Sequence, residues 1–136
     1  MREITDHIVE GDSANHQISV TALDGPGPGN ASHLYEIRGF STETNPGDVW
    51  KERYGKPSDH TTILFQNGPI KEVGVNGVTA EALIAICMDR LRGFQAGPYA
   101  CDANHAALDH LSQALHYLQI RTRERIARGV EGTHSK

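Results

Sequence analysis

The sequence lacks several features that would place it in common classes of protein. It has no run of about 18 apolar residues, which excludes a transmembrane helix. It begins MREITDHIVE, without a basic-then-apolar signal segment, so we expect an intracellular protein. The two cysteines, Cys87 and Cys101, are too few for a disulfide framework or a zinc site. Their helical context predicts small buried side chains in a reducing compartment.

Motifs of the common enzyme classes are also missing. The Gly-rich stretch at residues 25–29 precedes a strand pattern rather than Gly-Lys-Ser/Thr and a helix, so it is not a P-loop. No nucleophile elbow, HExxH or CxxC occurs. Asp102, His105 and Asp109 would share one helix face, but eight histidines in 136 residues produce such groups by chance. We therefore predict no catalytic residue, metal or cofactor, and a metal-dependent cyclic-nucleotide hydrolase is an alternative that rests on this group.

Charge is distributed unevenly along the chain. Residues 1–118 contain 8 Lys+Arg and 15 Asp+Glu, whereas residues 119–136 contain 5 and 2. An acidic body with an Arg-rich end is not typical of a DNA- or RNA-binding protein, but it is compatible with a local site for a small anion. The hydrophobic content of 38% supports only a modest core, so assembly with other copies is a further expectation.

Residues 1–78 have the pattern of a β-rich region. Apolar and polar residues alternate in short runs separated by turn signals, and Asn67-Gly68 is a strong hairpin signal. The long loop at residues 41–59 contains Trp50 and Tyr54 four residues apart, which indicates one helical turn. The predicted strands cover residues 17–23, 33–40, 61–66 and 70–75, and the last two form the hairpin.

Residues 79–136 have helical periodicity. Thr79 is a good N-cap for a first helix of roughly 16 residues, and Gly97-Pro98 ends that helix and starts a second one that runs from Pro98 to about Arg128. At ~1.5 Å per residue the helices would span ~24 and ~45 Å. The apolar face of the first consists of Leu83, Ile84, Cys87, Met88, Leu91 and Phe94 (or Gln95), and the heptad seam of the second consists of Leu108, Leu111, Leu115, Leu118 and Thr122.

The elements together predict an α+β fold. An N-terminal antiparallel β-sheet layer packs on a C-terminal two-helix antiparallel hairpin with a long second helix, and the two regions, 1–78 and 79–136, form one unit. The second helix extends beyond the first by three or four turns and carries a second, weaker stripe of small residues. A long helix with two such sides pairs with a copy of itself, which predicts a homo-oligomer. The stripe consists of Ala100, Ala103, Ala107, Ala114, Tyr117 and Arg121.

The sharpest candidate for a binding site is a group of three arginines. Arg121, Arg125 and Arg128 are spaced i, i+4 and i+7, which places them on one helix face, and guanidinium groups bind phosphate oxygens in pairs. The alternative is a solvated last turn in which basic residues complement the helix dipole. The composition leaves both interpretations open.

Phe94 and Asn104 flank the turn between the helices. An aromatic face can stack on a purine, and an amide can pair with an adenine edge. In the alternative, Phe94 packs at the end of the hairpin core and Asn104 lies on a solvent-exposed face. The sequence alone favours this alternative.

Four stretches together resemble the phage Thoeris anti-defence proteins of the first type, whose helical hairpin is shared with a phage anti-CBASS sponge. The resemblance extends from about residue 15 onward. Its most specific parts are the FQAGP turn and the RTRERxxRGVEGT end. The stretches are GNASHLYEIRGF (29–40), ILFQNGPIKEVGVNGVT (63–79), CMDRLRGFQAGPYA (87–100) and ALHYLQIRTRERIARGVEGTH (114–134).

The resemblance implies a phage-encoded nucleotide sponge that acts in the host bacterial cytoplasm. Such proteins bind the cyclic ADP-ribose isomer made by Thoeris TIR proteins (1″–3′ or a related glycocyclic ADP-ribose) without degrading it. Members form dimers or hexamers, and some also hold cyclic di- or trinucleotides of CBASS systems at a separate site. The resemblance implies no DNA, RNA or membrane partner. A helix-mediated interaction module without a small-molecule ligand is the second alternative.

Carried over to this sequence, the resemblance assigns roles to individual residues. Phe94 would stack on the adenine and Asn104 would hydrogen-bond near it. Arg121 and Arg125 would hold the pyrophosphate, with Arg128 on the same face. We further hypothesise that Tyr99 and Thr133 close over the ligand, because both lie near a helix terminus.

Overall fold

A four-stranded antiparallel sheet occupies the first part of the chain in a computed structural model, which describes residues 1–136. Each strand pairs with its neighbour in sequence, in the order β1-β2-β3-β4. The predicted strands at residues 17–23, 33–40 and 61–66 are confirmed in shorter form, and β1 is a short additional edge strand. The strands are β1 (Arg2–Ile4), β2 (Ser19–Ala22), β3 (Leu34–Arg38) and β4 (His60–Leu64).

The chain divides into two compact units, residues 1–64 and residues 65–136. The first contains the sheet and the second contains the helical hairpin, which confirms the predicted α+β class. No helix in the chain is both long enough and apolar enough to cross a membrane.

A carboxylate at the start of the Gly-rich loop between β2 and β3 bonds backbone groups at the end of that loop. Asp24 accepts hydrogen bonds from the backbone N–H groups of His33 and Leu34, each at 3.0 Å. Ser32, which is buried, donates its hydroxyl to Asp24 O at 3.1 Å. The bond from Leu34 N–H holds the pKa of the Asp24 carboxyl below its usual value. The Asp24 carboxylate thus holds the end of the Gly-rich loop against the start of β3. Between Asp24 and Ser32, Pro28–Asn30 form one 3₁₀ turn.

The predicted helical turn in the long loop is confirmed by helix α1 (Asp48–Tyr54). The rings of Trp50 and Tyr54, one turn apart, are in contact with centroids 4.4 Å from each other and planes tilted by 41°. The helix ends at Gly55, which adopts φ +68°, a conformation that favours glycine.

The predicted β-hairpin around Asn67-Gly68 is wrong. β4 ends at Leu64, and the residues after Asn67-Gly68 form a single helical turn, α2 (Ile70–Val73), rather than a strand. Pro69 precedes α2 and fixes the backbone angle at which the turn begins, and Gly74 ends it with φ +76°. Two consecutive apolar runs on either side of Asn-Gly were therefore insufficient evidence for strand pairing.

Helix α3 (Ala80–Gln95) begins where the sequence predicts. The Thr79 hydroxyl accepts a hydrogen bond from Ala82 N–H at 3.1 Å, which satisfies one of the free N–H groups of the first turn. Met88 is 4% exposed and lies at the centre of the predicted apolar face. The expectation of two buried cysteines is wrong: Cys87, which we placed on this face, is exposed, and so is Cys101.

Helix α4 (Asp102–Ala127) has 26 residues, about 39 Å at ~1.5 Å per residue. It begins four residues after Pro98, the predicted start, because the Gln95 side chain bonds both backbone groups of Cys101 and keeps residues 98–101 in a turn. Cys101 is the N-cap, and its sulfur accepts from Asn104 N–H at 3.5 Å. The predicted heptad seam is confirmed, because all of its members are half-buried on a largely exposed helix: Leu108, Leu111, Leu115, Leu118 and Thr122.

We predict that the bonds to Asp24 make the stability of the first unit depend on pH. Because the folded state lowers the pKa of Asp24, its contribution is present above the unfolded value of about 3.9 and is lost as the pH falls through the folded value. Asp24→Asn should therefore lower the free energy of unfolding at pH 7 and have less effect near pH 3. Denaturant titrations followed by circular dichroism measure this. Glu10→Gln is the control, and an equal loss at both pH values would contradict the prediction.

Candidate functional site

The turn between α3 and α4 brings three predicted site residues together. The rings of Phe94 and Tyr99 meet edge to face with centroids 6.4 Å apart, and Asn104 donates its amide to Tyr99 O at 3.3 Å. Tyr99 is 73% exposed, so its ring is accessible to a ligand. We call Phe94, Tyr99 and Asn104 the turn cluster.

Arg90 belongs to the same region and was not predicted from the sequence. Its guanidinium carbon lies 5.1 Å from the centroid of the Phe94 ring, at cation–π distance. The i, i+4 spacing of Arg90 and Phe94 on α3 is the signal that could have revealed it. The contact holds the Phe94 ring in one orientation and places a positive charge beside the turn cluster.

The three predicted arginines lie at the other end of α4. Arg121 and Arg128 are exposed and Arg125 is half-buried. None of them forms an ion pair with a carboxylate, so their charges remain available to an anion. We call Arg121, Arg125, Arg128 and Thr133 the arginine cluster.

Arg125 holds the segment that follows the helix. Its guanidinium donates to Val130 O and Thr133 O at 3.1 Å each, and to Ser135 O. These acceptors are neutral carbonyls, so the guanidinium is oriented without losing its net charge. A role in orienting residues 129–135 was missed in the sequence, because hydrogen bonds to backbone carbonyls leave no residue pattern.

Helix α4 ends in a Schellman motif that directs residues 129–135 back along the helix. Val130 N–H bonds Arg125 O and Gly129 N–H bonds Ile126 O, each at 3.0 Å, the pair of bonds that defines the motif. Gly129 adopts φ +72°, which other residues reach only with strain. Thr133 then donates its N–H to Val130 O at 3.1 Å. Residues 129–135 are therefore an ordered segment beside Arg125.

The two clusters do not meet within one chain. Asn104 and Arg121 are 17 positions apart on α4, which corresponds to about 26 Å along a helix at ~1.5 Å per residue. A nucleotide of ADP-ribose size cannot bridge that distance. The structure thus places the turn cluster near the start of α4 and the arginine cluster near its end.

Two other candidate sites are the Asp and His group on α4 and a cavity beside α1. No group of three or more His, Cys, Asp or Glu side chains is arranged to hold a metal ion, so Asp102, His105 and Asp109 do not form the ligand set that the hydrolase alternative requires. The Asp109 carboxylate instead accepts from Gln113 at 2.9 Å. A cavity of about 210 Å³ beside Trp50 and Lys56 is smaller than most nucleotide pockets.

Comparison with known proteins identifies the hairpin. Residues 57–122 match the family model described as "Acb2/Tad1, hairpin domain". This part of the chain is therefore similar to that hairpin domain. The matched range includes the whole turn cluster and Arg121, whereas Arg125, Arg128 and Thr133 lie beyond it.

A curated relative agrees with this identification. The protein "Thoeris anti-defense 1" of Bacillus phage SBSphiJ7 is 49% identical to this chain over 75 residues, which are 55% of this chain and 53% of the relative. The chain thus matches the relative over about half the length of each. The resemblance to Thoeris anti-defence proteins with this hairpin domain, inferred from the sequence, is confirmed.

We predict that Arg125 orders residues 130–135. In Arg125→Lys, a single ammonium cannot reproduce the three carbonyl contacts, so amide hydrogens in this segment should exchange about tenfold faster or more. Hydrogen exchange followed by mass spectrometry measures this. Arg121→Lys is the matched control, because Arg121 makes no contact with the segment. Equal exchange in the wild type and Arg125→Lys would show that the segment is held by other means.

Proposed function

We propose that this protein is a phage anti-defence sponge. It binds the cyclic ADP-ribose-type signal made by Thoeris TIR proteins, 1″–3′ or a related glycocyclic ADP-ribose, in the cytoplasm of the host bacterium. It holds the signal without degrading it, so the effector is not activated. The Acb2/Tad1 hairpin and the anti-defence relative support this assignment.

We take the turn cluster and the arginine cluster as the two halves of the ligand site, or half-sites, and their side chains match the chemistry of that ligand. A cyclic ADP-ribose isomer has a purine, two riboses and a pyrophosphate with two negative charges. Phe94 and Tyr99 offer aromatic faces for the purine, and Asn104 offers an amide for its edge. Arg121, with its charge unpaired, suits the pyrophosphate.

The observation that best supports a site shared between two copies is the distance between the half-sites. Since about 26 Å of helix divides Asn104 from Arg121, one complete site needs two copies of the chain. Antiparallel pairing of α4 with a second copy provides it, because the turn cluster of each copy then lies next to the arginine cluster of the other.

The exposed stripe on α4 is self-complementary for such a pair. If the two-fold axis meets the stripe at the level of residue 112 along the helix, Ala103 faces Arg121 of the second copy and Ala107 faces its Tyr117. All four residues are exposed in the single chain, and Tyr117 is 69% exposed. Small residues opposite large ones allow the helices to approach closely, as an isologous interface requires. Each pair would contain two equivalent sites.

The small number of buried apolar residues in the single chain also supports assembly. Ala22 and Met88 are the only buried apolar residues. The chain therefore leaves apolar surface that an oligomer, whether a dimer or a hexamer, would cover.

We predict that the purified protein captures the signal and releases it intact. The protein is mixed with the nucleotide product of a Thoeris TIR enzyme, filtered to remove free ligand and then denatured by heat. Unaltered ligand should appear only after denaturation, because the proposal involves no chemical step. An altered ligand would favour the hydrolase alternative. Ligand left wholly in the filtrate would favour an interaction module, and cyclic di- and trinucleotides would then be tested in the same way.

We predict that two inactive variants complement each other. Phe94→Ala and Arg121→Ala should each abolish retention without changing oligomer size. Co-expressed in equal amounts, they should recover about a quarter of wild-type capacity, since half of the pairs are mixed and each mixed pair has one intact site. Phe94→Ala co-expressed with the double variant Phe94→Ala/Arg121→Ala is the control without an intact site. Absence of recovery would mean that each site lies within one copy.

A further inference from the structure

The segment at residues 129–135 contacts a second element besides Arg125. Lys71 N–H donates to Gly132 O at 3.0 Å, and a Cβ on Gly132 would lie 3.3 Å from Lys71 Cγ. His134 Nδ1 is 3.2 Å from a Glu72 carboxylate oxygen. The segment therefore rests on α2, and it is held between α2 and Arg125.

Helix α2 cannot hold this position by its own stability. It has four residues and no side-chain cap, and an isolated helical turn is unstable in water. Its place must be set by the loop that contains it. This loop begins and ends at the hydrogen bond from Gln66 N–H to Val78 O at 3.0 Å, and we call residues 66–78 the platform loop.

Two amide side chains close the platform loop around α2. Gln66 donates to Gly68 O at 3.1 Å, just before α2, and to Gly74 O at 2.8 Å, just after it. The side-chain Oε1 of Gln66 accepts a hydrogen bond from Asn76 N–H at 2.9 Å. Asn76 in turn pairs with both backbone groups of Asn67, at 2.9 and 2.8 Å. Together, Gln66 and Asn76 fix both ends of α2.

We propose that Gln66 and Asn76 are positioning residues for the ligand site, on which they act through α2 and residues 129–135. They hold α2, which supports the segment that orients Arg125 and carries Thr133. The inference rests on the proposed function. Both amides lie outside the two clusters. They keep residues 129–135 and Arg125 ordered in the free protein, so ligand binding does not have to supply the free energy of ordering them.

The test is the rate at which captured TIR product leaves the protein, measured by dilution into excess unlabelled product. Gln66→Ala and Asn76→Ala should each release it about tenfold faster, because the loss of ordering acts mainly on dissociation. Asn76→Asp keeps the acceptor for Asn67 N–H and should have an intermediate rate. Gln113→Ala removes an exposed amide on α4 that bonds only Asp109, and it should release the product at the wild-type rate.

A variant that lacks residues 130–136 separates positioning from general destabilisation. If Gln66 acts through the segment, Gln66→Ala should add nothing to the release rate of this shortened variant. A further increase would overturn the inference, as would wild-type rates in both alanine variants. Helicity and oligomer size are measured for each variant to identify any that fail to fold. If an alanine variant fails to fold, the release rates of Asn76→Asp and of the shortened variant test the inference in its place.

The two proposals fail in distinguishable ways. If the wild type retains no TIR product, the proposed function fails and the inference fails with it. If the wild type retains the product and the platform-loop variants release it at the same rate, only the inference fails.

Discussion

A straight helix cannot bring its two ends together, and the function that we propose for this chain depends on that constraint. The turn cluster lies at the start of helix α4, and the arginine cluster lies at its end. The seam of leucines lies between them. The distance between the clusters is thus fixed by helix geometry, and a ligand that needs both must find them on different copies.

The sequence predicted the regular elements of this architecture well. Heptad spacing placed the seam of α4 correctly, and the Thr79 cap placed the start of α3, because both signals are local and depend on side chains that face one neighbour. The start of α4 was predicted too early because Pro98 is compatible with a first helical turn. The bonds from Gln95 to Cys101, which delay that start, involve a side chain with no characteristic spacing.

The site was predictable in its residue types but not in its arrangement. Arginines at i, i+4 and i+7 do share one region of the chain. The sequence does not reveal, however, that Arg125 donates three hydrogen bonds to backbone carbonyls. It also did not distinguish α2 from a strand. The residues after Asn67-Gly68 are β-branched and apolar enough for either, and the Gln66 and Asn76 amides decide the outcome through bonds to backbone groups up to ten residues away.

If the ligand site is divided between two copies, as we propose, its capacity depends steeply on protein concentration. Below the dissociation constant of the pair, the number of complete sites rises with the square of the protein concentration rather than in proportion to it. Protection would then begin abruptly, at a threshold of expression, and the protein would be ineffective while it is scarce. Selection on a phage that uses such a sponge should therefore favour early and abundant synthesis as strongly as affinity for the signal.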